Sequence, residues 1–132
     1  MNAQNAVRRV DQFERALARL DEAFAVPMDA PLALDGTIQR FEFTFEICWK
    51  ALKAVLELQT SVAGLGTARA VIKAAYAAGW IDNEAGWIEL LDMRNATSHI
   101  YDETAARDIY SKIKLRVPLM HAAAQSLRKQ LP

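Results

Sequence analysis

Residues 3–25 read AQNAVRRVDQFERALARLDEAFA, and their apolar positions return at alternating steps of three and four. The repeating positions are Ala3, Ala6, Val10, Phe13, Leu17, Leu20 and Phe24. Such a heptad seam is typical of a helix that packs nearly antiparallel against its neighbours in a bundle. The stretch therefore predicts a first helix from about Ala3 to Ala25 and an all-α fold.

Four further helices follow from the remaining apolar patterns and from the proline- and glycine-containing stretches between them. Their predicted spans are Asp35 or Thr37 to Gln59, Thr67 to Ala78, Asn83 to Ser98, and Asp102 or Thr104 to Leu131. We expect a turn over Thr60 to Gly66, Thr67 as the cap of the third helix, Asp82 as the cap of the fourth, and a kink at Pro118. Together these elements predict one domain, residues 1–132, folded as an up-and-down antiparallel bundle of four long helices and one short.

The second helix carries two apolar strips. One strip comprises Ile38, Phe41, Phe45, Trp49, Leu52 and Leu56, and the other comprises Phe43, Ile47, Ala54 and Leu58. A helix with two apolar faces is either central in the bundle or partly covered by a second subunit. We favour a second subunit for part of it, and so predict a two-fold homodimer.

Composition narrows the class of protein. Sixteen basic and sixteen acidic residues give a net charge of zero, so the chain lacks the overall basic character of a nucleic-acid binder. The single cysteine, Cys48, cannot form an internal disulfide, and no apolar run is long enough to span a membrane. We expect a cytoplasmic protein with no membrane contact.

Charge is unevenly distributed near the C-terminus. Residues 82–103 hold six acidic residues against Arg94, and residues 105–132 hold six basic residues against Asp108. The simpler interpretation is two solvated helix faces that complement each other, and the functional one is a basic wall beside an active-site cleft. The simpler interpretation is favoured.

The stretch Arg94 to Tyr101, RNATSHIY, collects the residues best suited to chemistry. A histidine moves protons near neutral pH, and a guanidinium stabilises charge that grows on a phosphoryl group. Arg94 and His99 together suit RNA cleavage without a metal. Taken alone, however, an arginine and a histidine at a helix C-terminus more often satisfy the last carbonyls. A metal site is disfavoured because only one histidine is local.

Spacing raises a geometric problem for this pair. Arg94 and His99 are five residues apart, which is about 140° around an ideal helix at roughly 100° per residue. They can serve one small group only if the helix unwinds near His99 or if a two-fold partner brings a second copy alongside. On a continued helix, Arg94, Ser98 and Tyr101 would form one row, and Asn95, His99 and Asp102 the adjacent row.

The Arg-x4-His-x-Tyr pattern resembles the signature of HEPN domains, in particular the HepT-like toxin halves of HEPN/minimal-nucleotidyltransferase modules. The block DGTIQRFEFTFE, residues 35–46, resembles nucleotidyltransferase substrate-binding proteins, a branch of the same superfamily. The segments Trp80-Ile81-Asp82 and Tyr101-Asp102-Glu103 also fit that branch.

This resemblance implies a two-fold dimer and shifts the interpretation of the motif toward an endoribonuclease toxin. The implied catalytic residues are Arg94, Asn95 and His99, and the implied supporting residues are Arg40, Glu46, Ser98 and Asp102. Exposed ion pairs explain Arg40 and Glu46 equally well. Tyr101, whose charged neighbours predict that it faces water, would accept AMP from a partner minimal nucleotidyltransferase. No cofactor is expected, since ATP and Mg²⁺ would belong to the partner. The alternative is a noncatalytic subunit that binds substrate for that nucleotidyltransferase.

Overall fold

Five α-helices and one short 3₁₀ turn make up the computed structural model, which describes residues 3–59 and 64–132. The elements are α1 (Ala3–Ala25), α2 (Ala33–Gln59), α3 (Ala68–Ala77), α4 (Glu84–Ala96), the 3₁₀ turn Thr97–His99, and α5 (Glu103–Gln130). No strand occurs within those two described ranges. Residues 60–63 of the predicted turn lie outside them. The predicted all-α bundle is confirmed, whereas the two-fold dimer stays a prediction.

Side-chain contacts show that α1 and α2 run antiparallel. The Arg40 guanidinium donates to the Arg19 carbonyl at 2.7 Å, and the Thr44 hydroxyl lies 3.3 Å from the Ala16 carbonyl. Residue numbers thus rise along α2 as they fall along α1. The heptad seam of α1 faces this contact, and its central residues are buried.

The fifth helix closes the bundle against α1, again in the antiparallel sense. Arg128 pairs with Asp11 at 2.6 Å near one end, and His121 lies 3.0 Å from Asp21 nearer the other. The carboxylates around Arg128 raise the pKa of its guanidinium, which stays charged at any pH of interest. Pro118 lies inside α5, and the kink expected there stays a prediction.

The second helix is central, because α2 packs against α1, α3, α4 and α5. Its first apolar strip is mostly buried, and Phe41, Phe45 and Leu52 have no exposed surface. Cys48 is also fully buried, and this burial raises the pKa of its thiol. The second strip is not fully covered, and Phe43 in it is 59% exposed.

Two predicted helix starts are wrong. Helix α2 begins at Ala33 rather than at Asp35 or Thr37, after Leu32, whose φ of 65° turns the chain. The Thr37 hydroxyl is instead inside the helix and donates to the Ala33 carbonyl at 2.7 Å. Helix α4 is capped by Asn83, whose side chain accepts from the Gly86 amide at 3.1 Å.

The predicted cap of the third helix is confirmed, since the Thr67 hydroxyl accepts from the Ala70 amide at 3.1 Å. Gly79 follows the helix with a φ of 78°, the left-handed conformation in which a helix commonly ends. None of the helices in the described ranges is long and apolar enough to cross a membrane.

Candidate functional site

The motif lies where α4 breaks and α5 begins. Helix α4 ends at Ala96, two residues before the predicted end, and a 3₁₀ turn covers Thr97–His99. The Thr97 hydroxyl donates to the Arg94 carbonyl at 2.8 Å, which competes with continuation of the α-helix. Asp102 then starts α5 by accepting from the Ala105 amide at 2.7 Å. The row that joins Arg94, Ser98 and Tyr101 on a continued helix therefore does not form.

Arg94 is held in place by residues of α2. Its Nη1 donates to Glu46 Oε2 at 2.6 Å, and its Nε donates to Asn95 Oδ1 at 3.0 Å. The guanidinium carbon lies 5.7 Å from the centroid of the Phe45 ring. Trp49 Nε1 donates to the same Glu46 oxygen at 2.8 Å. The side chain is 27% exposed, so Arg94 is oriented by its neighbours yet still reaches solvent.

His99 and Tyr101 form a second, exposed pair. His99 Nδ1 lies 3.5 Å from Tyr101 Oη, and the two ring centroids are 6.5 Å apart. Tyr101 is 84% exposed, so the prediction that its phenol faces water is confirmed. Neither side chain is needed for packing, because both lie outside the core.

Arg94 and His99 face different sides of the bundle. The Arg94 side chain turns toward α2, where it meets Glu46. His99 lines a shallow cleft of about 400 Å³ between α4 and α5, together with Met93 and Lys112. No hydrogen bond joins Arg94 to His99 in the described part of the chain. The unwinding near His99 is present, but it does not by itself bring the two side chains to one point.

The other predicted supporting residues are placed separately. Arg40 contacts the Arg19 carbonyl of α1 and not the motif, while Glu46 does reach Arg94. Ser98 is exposed on the 3₁₀ turn, and Asp102 has a structural task as the cap of α5. The supporting roles of these four residues stay predictions.

The acidic and basic segments near the C-terminus meet at α4 and α5. Arg116 donates to both oxygens of Glu89, at 3.3 and 3.0 Å. The hydrogen bond from Arg116 lowers the pKa of the Glu89 carboxyl. This contact supports the interpretation of complementary helix faces over that of a basic wall.

Two residues of the site were assigned to the core by their spacing. Phe45 and Trp49 belong to the apolar strip of α2, yet one lies under the Arg94 guanidinium and the other holds Glu46. One sequence feature indicated a polar role for Trp49: its indole N–H can reach a glutamate three residues earlier on a helix, which is Glu46. Among the described residues, no group of three His, Cys, Asp or Glu side chains could hold a metal ion.

A family model described as "Nucleotidyltransferase substrate binding protein like" matches residues 8–129. The chain belongs to this family. The resemblance to nucleotidyltransferase substrate-binding proteins, inferred from residues 35–46, is thereby confirmed.

Two proteins are similar to this chain at 34–35% identity. A Haemophilus influenzae protein named "Probable ribonuclease HepT" is 35% identical over 81 residues, which are 59% of this chain and 56% of the relative. The match thus spans about half of that relative. A crystal structure from Thermus thermophilus has a TM-score of 0.80 at 34% identity and covers 88% of this chain and 98% of its own.

A second structure shares the fold at lower identity. It comes from Haemophilus influenzae and is described as the fold of a substrate binding domain of a nucleotidyltransferase. Its TM-score is 0.69 at 24% identity, and the alignment covers 96% of this chain and 99% of that one. This likeness supports the helical fold alone.

Proposed function

We propose that the protein is a metal-independent endoribonuclease, the toxin of a toxin–antitoxin pair, that a partner minimal nucleotidyltransferase silences. The observation that carries the proposal is the pairing of an anchored arginine with an exposed His99–Tyr101 pair on one short segment. The name of the Haemophilus influenzae relative, a probable ribonuclease, supports the same activity.

In the proposed reaction, the ribose 2′-oxygen attacks the adjacent phosphorus and the bond from phosphorus to the 5′-oxygen breaks. His99 takes the 2′-hydroxyl proton or gives a proton to the leaving 5′-oxygen. Arg94 stabilises the negative charge on the phosphoryl oxygens, and Asn95, which contacts Arg94 at 3.0 Å, helps to orient it. The products are a 2′,3′-cyclic phosphate and a free 5′-hydroxyl. DNA has no 2′-hydroxyl and should not be cut.

A two-fold homodimer is part of the proposal, because one chain turns Arg94 and His99 to different sides. A dimer that packs along α4, and not over the second apolar strip of α2, places the motif of one chain beside that of the other. Arg94 of one chain and His99 of its partner can then act on the same phosphate. Of the two ways in which Arg94 and His99 can serve one group, the proposal therefore uses a two-fold partner and not the unwinding of the helix.

The nuclease proposal is tested with purified protein and RNA in the presence of EDTA. We expect the wild type to cut RNA, His99→Ala to be inactive, and Arg94→Lys to be severely impaired because lysine lacks the planar fork. His121→Ala is the matched control, since His121 contacts Asp21 far from the motif and its loss should leave cleavage unchanged. Equal background cleavage by wild type and His99→Ala would show that the protein is not a nuclease.

Regulation is proposed to act through Tyr101. Its phenol oxygen would attack the α-phosphorus of ATP bound to the partner, pyrophosphate would leave, and the phenol proton would pass to solvent or to a base of the partner. The added phosphate would lie next to His99, whose ring nitrogen is 3.5 Å from the phenol oxygen, and the adenosine would block RNA.

Incubation with the partner, ATP and Mg²⁺ should add one or more AMP masses and stop RNA cleavage. Tyr101→Phe should prevent the addition, whereas Tyr76→Phe, which alters another exposed tyrosine, should not. AMP on any other residue, or none with an active partner, would leave Tyr101 without a regulatory role.

The second candidate function is a noncatalytic substrate-binding subunit of a nucleotidyltransferase. The ion pair between Arg94 and Glu46 at 2.6 Å favours it, since it partly neutralises the cation that RNA would need. The family description points the same way. Under this alternative, the protein forms a complex with the nucleotidyltransferase but leaves RNA intact.

A further inference from the structure

A groove of about 770 Å³ lies between α1 and α2, outside the motif. The side chains that matter for its chemistry are Gln12, Arg15, Arg19, Gln39, Arg40 and Phe43. Among the described residues, no carboxylate lines this groove. In a chain of zero net charge, the groove is therefore a local concentration of positive charge.

The arginines of the groove form no ion pair with another described residue. In residues 3–59 and 64–132, Arg15 and Arg19 have no ion-pair partner, and Arg40 donates to the backbone carbonyl of Arg19. Five other arginines each pair with a carboxylate: Arg69, Arg94, Arg107, Arg116 and Arg128. The groove thus keeps guanidinium groups that remain available for an external anion.

An aromatic ring stands beside these guanidinium groups. Phe43 is 59% exposed on a helix whose other phenylalanines, Phe41 and Phe45, are fully buried. A positively charged groove with an exposed aromatic side chain is the arrangement by which proteins bind single-stranded nucleic acid. The phosphates contact the cations, and a base stacks on the ring.

We propose that single-stranded RNA lies in this groove, with phosphates at Arg15, Arg19 and Arg40 and a base stacked on Phe43. The proposal rests on the proposed ribonuclease function and extends it by assigning a substrate-binding surface. A second copy of the chain is the less suitable occupant. Two-fold pairing brings the same patch of both copies together, and the described lining of this groove offers each copy arginines but no carboxylate to pair with them.

The groove leads toward the motif along α2. Gln39, Phe43 and Glu46 are four and three residues apart, so they lie on one side of the helix. Glu46 is the residue that holds Arg94 at 2.6 Å. From Phe43 to Glu46 the helix rises about 4.5 Å. A strand that stacks on Phe43 and follows α2 toward its C-terminus would therefore pass the Glu46–Arg94 pair.

Binding is measured by fluorescence anisotropy with a labelled oligouridylate in EDTA, on a His99→Ala background so that the RNA stays intact. Arg15→Gln/Arg19→Gln should weaken binding about tenfold and reduce the slope of log K against log salt by about 1.4, for two lost phosphate contacts. Lys114→Gln/Lys129→Gln is the matched control. It removes the same charge from exposed positions of α5 and should leave the slope unchanged.

The stacking contact is tested separately. Phe43→Ala should weaken binding about tenfold, and Phe43→Trp should restore it, because stacking needs only an aromatic face. Tyr76→Ala removes an exposed aromatic ring from α3 and should have no effect. Circular dichroism should show that all variants keep the wild-type helicity.

The groove proposal would be overturned if the groove variants and their controls lost the same affinity for RNA. It would also be overturned if polyglutamate, added at the same total charge as the RNA, displaced the RNA. A change of oligomeric state in Phe43→Ala would identify the groove as an interface between copies, which also overturns it. The nuclease proposal is tested by a different measurement, cleavage of RNA by the wild-type protein, so either proposal can fail without the other. Binding in the groove without cleavage would leave the groove proposal standing.

Discussion

The contact between Glu46 and Arg94 joins α2 to α4 at the motif, and we expect it to stabilise the fold measurably. We predict that Glu46→Gln and Arg94→Gln each lower the free energy of unfolding, and that the double variant loses less than the sum of the two. The glutamine at position 46 keeps an acceptor for the Trp49 indole, so the cycle isolates the charged contact.

The magnitude follows from the geometry. A hydrogen bond between charged groups at 2.6 Å contributes about 1.5 to 3 kcal/mol when it is shielded from water. The two side chains are 27% and 39% exposed, and solvent screening reduces that value. We therefore expect a coupling energy of about 1 kcal/mol, which is about 4 °C in melting temperature for a domain of this size.

The assay is urea denaturation of the four proteins followed by circular dichroism, repeated at high salt. Screening should reduce the coupling energy, because part of the contact is exposed. A coupling energy below about 0.3 kcal/mol would mean that the two changes are additive. Arg94 would then be placed by its Asn95 and Phe45 contacts and not by Glu46.

Three further predictions concern the rest of the structure. Asp102→Ala should lower the free energy of unfolding, measured in urea, by about 1 kcal/mol because α5 loses its cap. Asp102→Asn should lower it by much less, and equal losses in the two variants would exclude a capping role. The hydrogen bond from Arg116 lowers the pKa of Glu89 in the folded protein. The ionised carboxylate should therefore stabilise the fold at pH values above the pKa of the unfolded chain, about 4.3. This stabilisation should be lost as the pH falls through the lower pKa of the folded protein. The stability difference between wild type and Glu89→Gln, measured by urea titrations across this range, should therefore shrink on acidification, and a constant difference would contradict it. Cys48 should react with a thiol reagent only as fast as the protein opens, and rapid reaction of the native protein would show that the site is accessible.

Local patterns predicted the helices well because each pattern reports on its own element. The seam of α1 and the Thr67 cap both depend on residues a few positions apart, and both are confirmed. The start of α2 was misplaced because Leu32 adopts a positive φ, which its residue type does not announce. At α4, Asp82 and Asn83 are both good caps by type, and only the left-handed conformation of Asn83 decides between them.

The candidate site was predictable only in part. The exposure of Tyr101 followed from its charged neighbours, whereas the unwinding near His99, one of the two expected ways to join it to Arg94, leaves Arg94 on Glu46 of α2. The contact of Arg94 with Glu46 spans 48 positions, so it depends on how α2 and α4 are aligned. The α1–α2 groove was missed for the same reason, since Arg15 on an isolated helix looks like an ordinary solvated residue.

The break between α4 and α5 should make the backbone around Tyr101 easier to move than the helices beside it. Ile100 is extended, and Ile100 and Tyr101 lie between the 3₁₀ turn and Asp102, the cap of α5. Amide protons there should exchange with solvent through small local fluctuations, while those of α2 should exchange only when the whole bundle unfolds. Tyr101, which is 84% exposed, can therefore move more easily than a residue inside α2, as AMP transfer by the proposed partner would require.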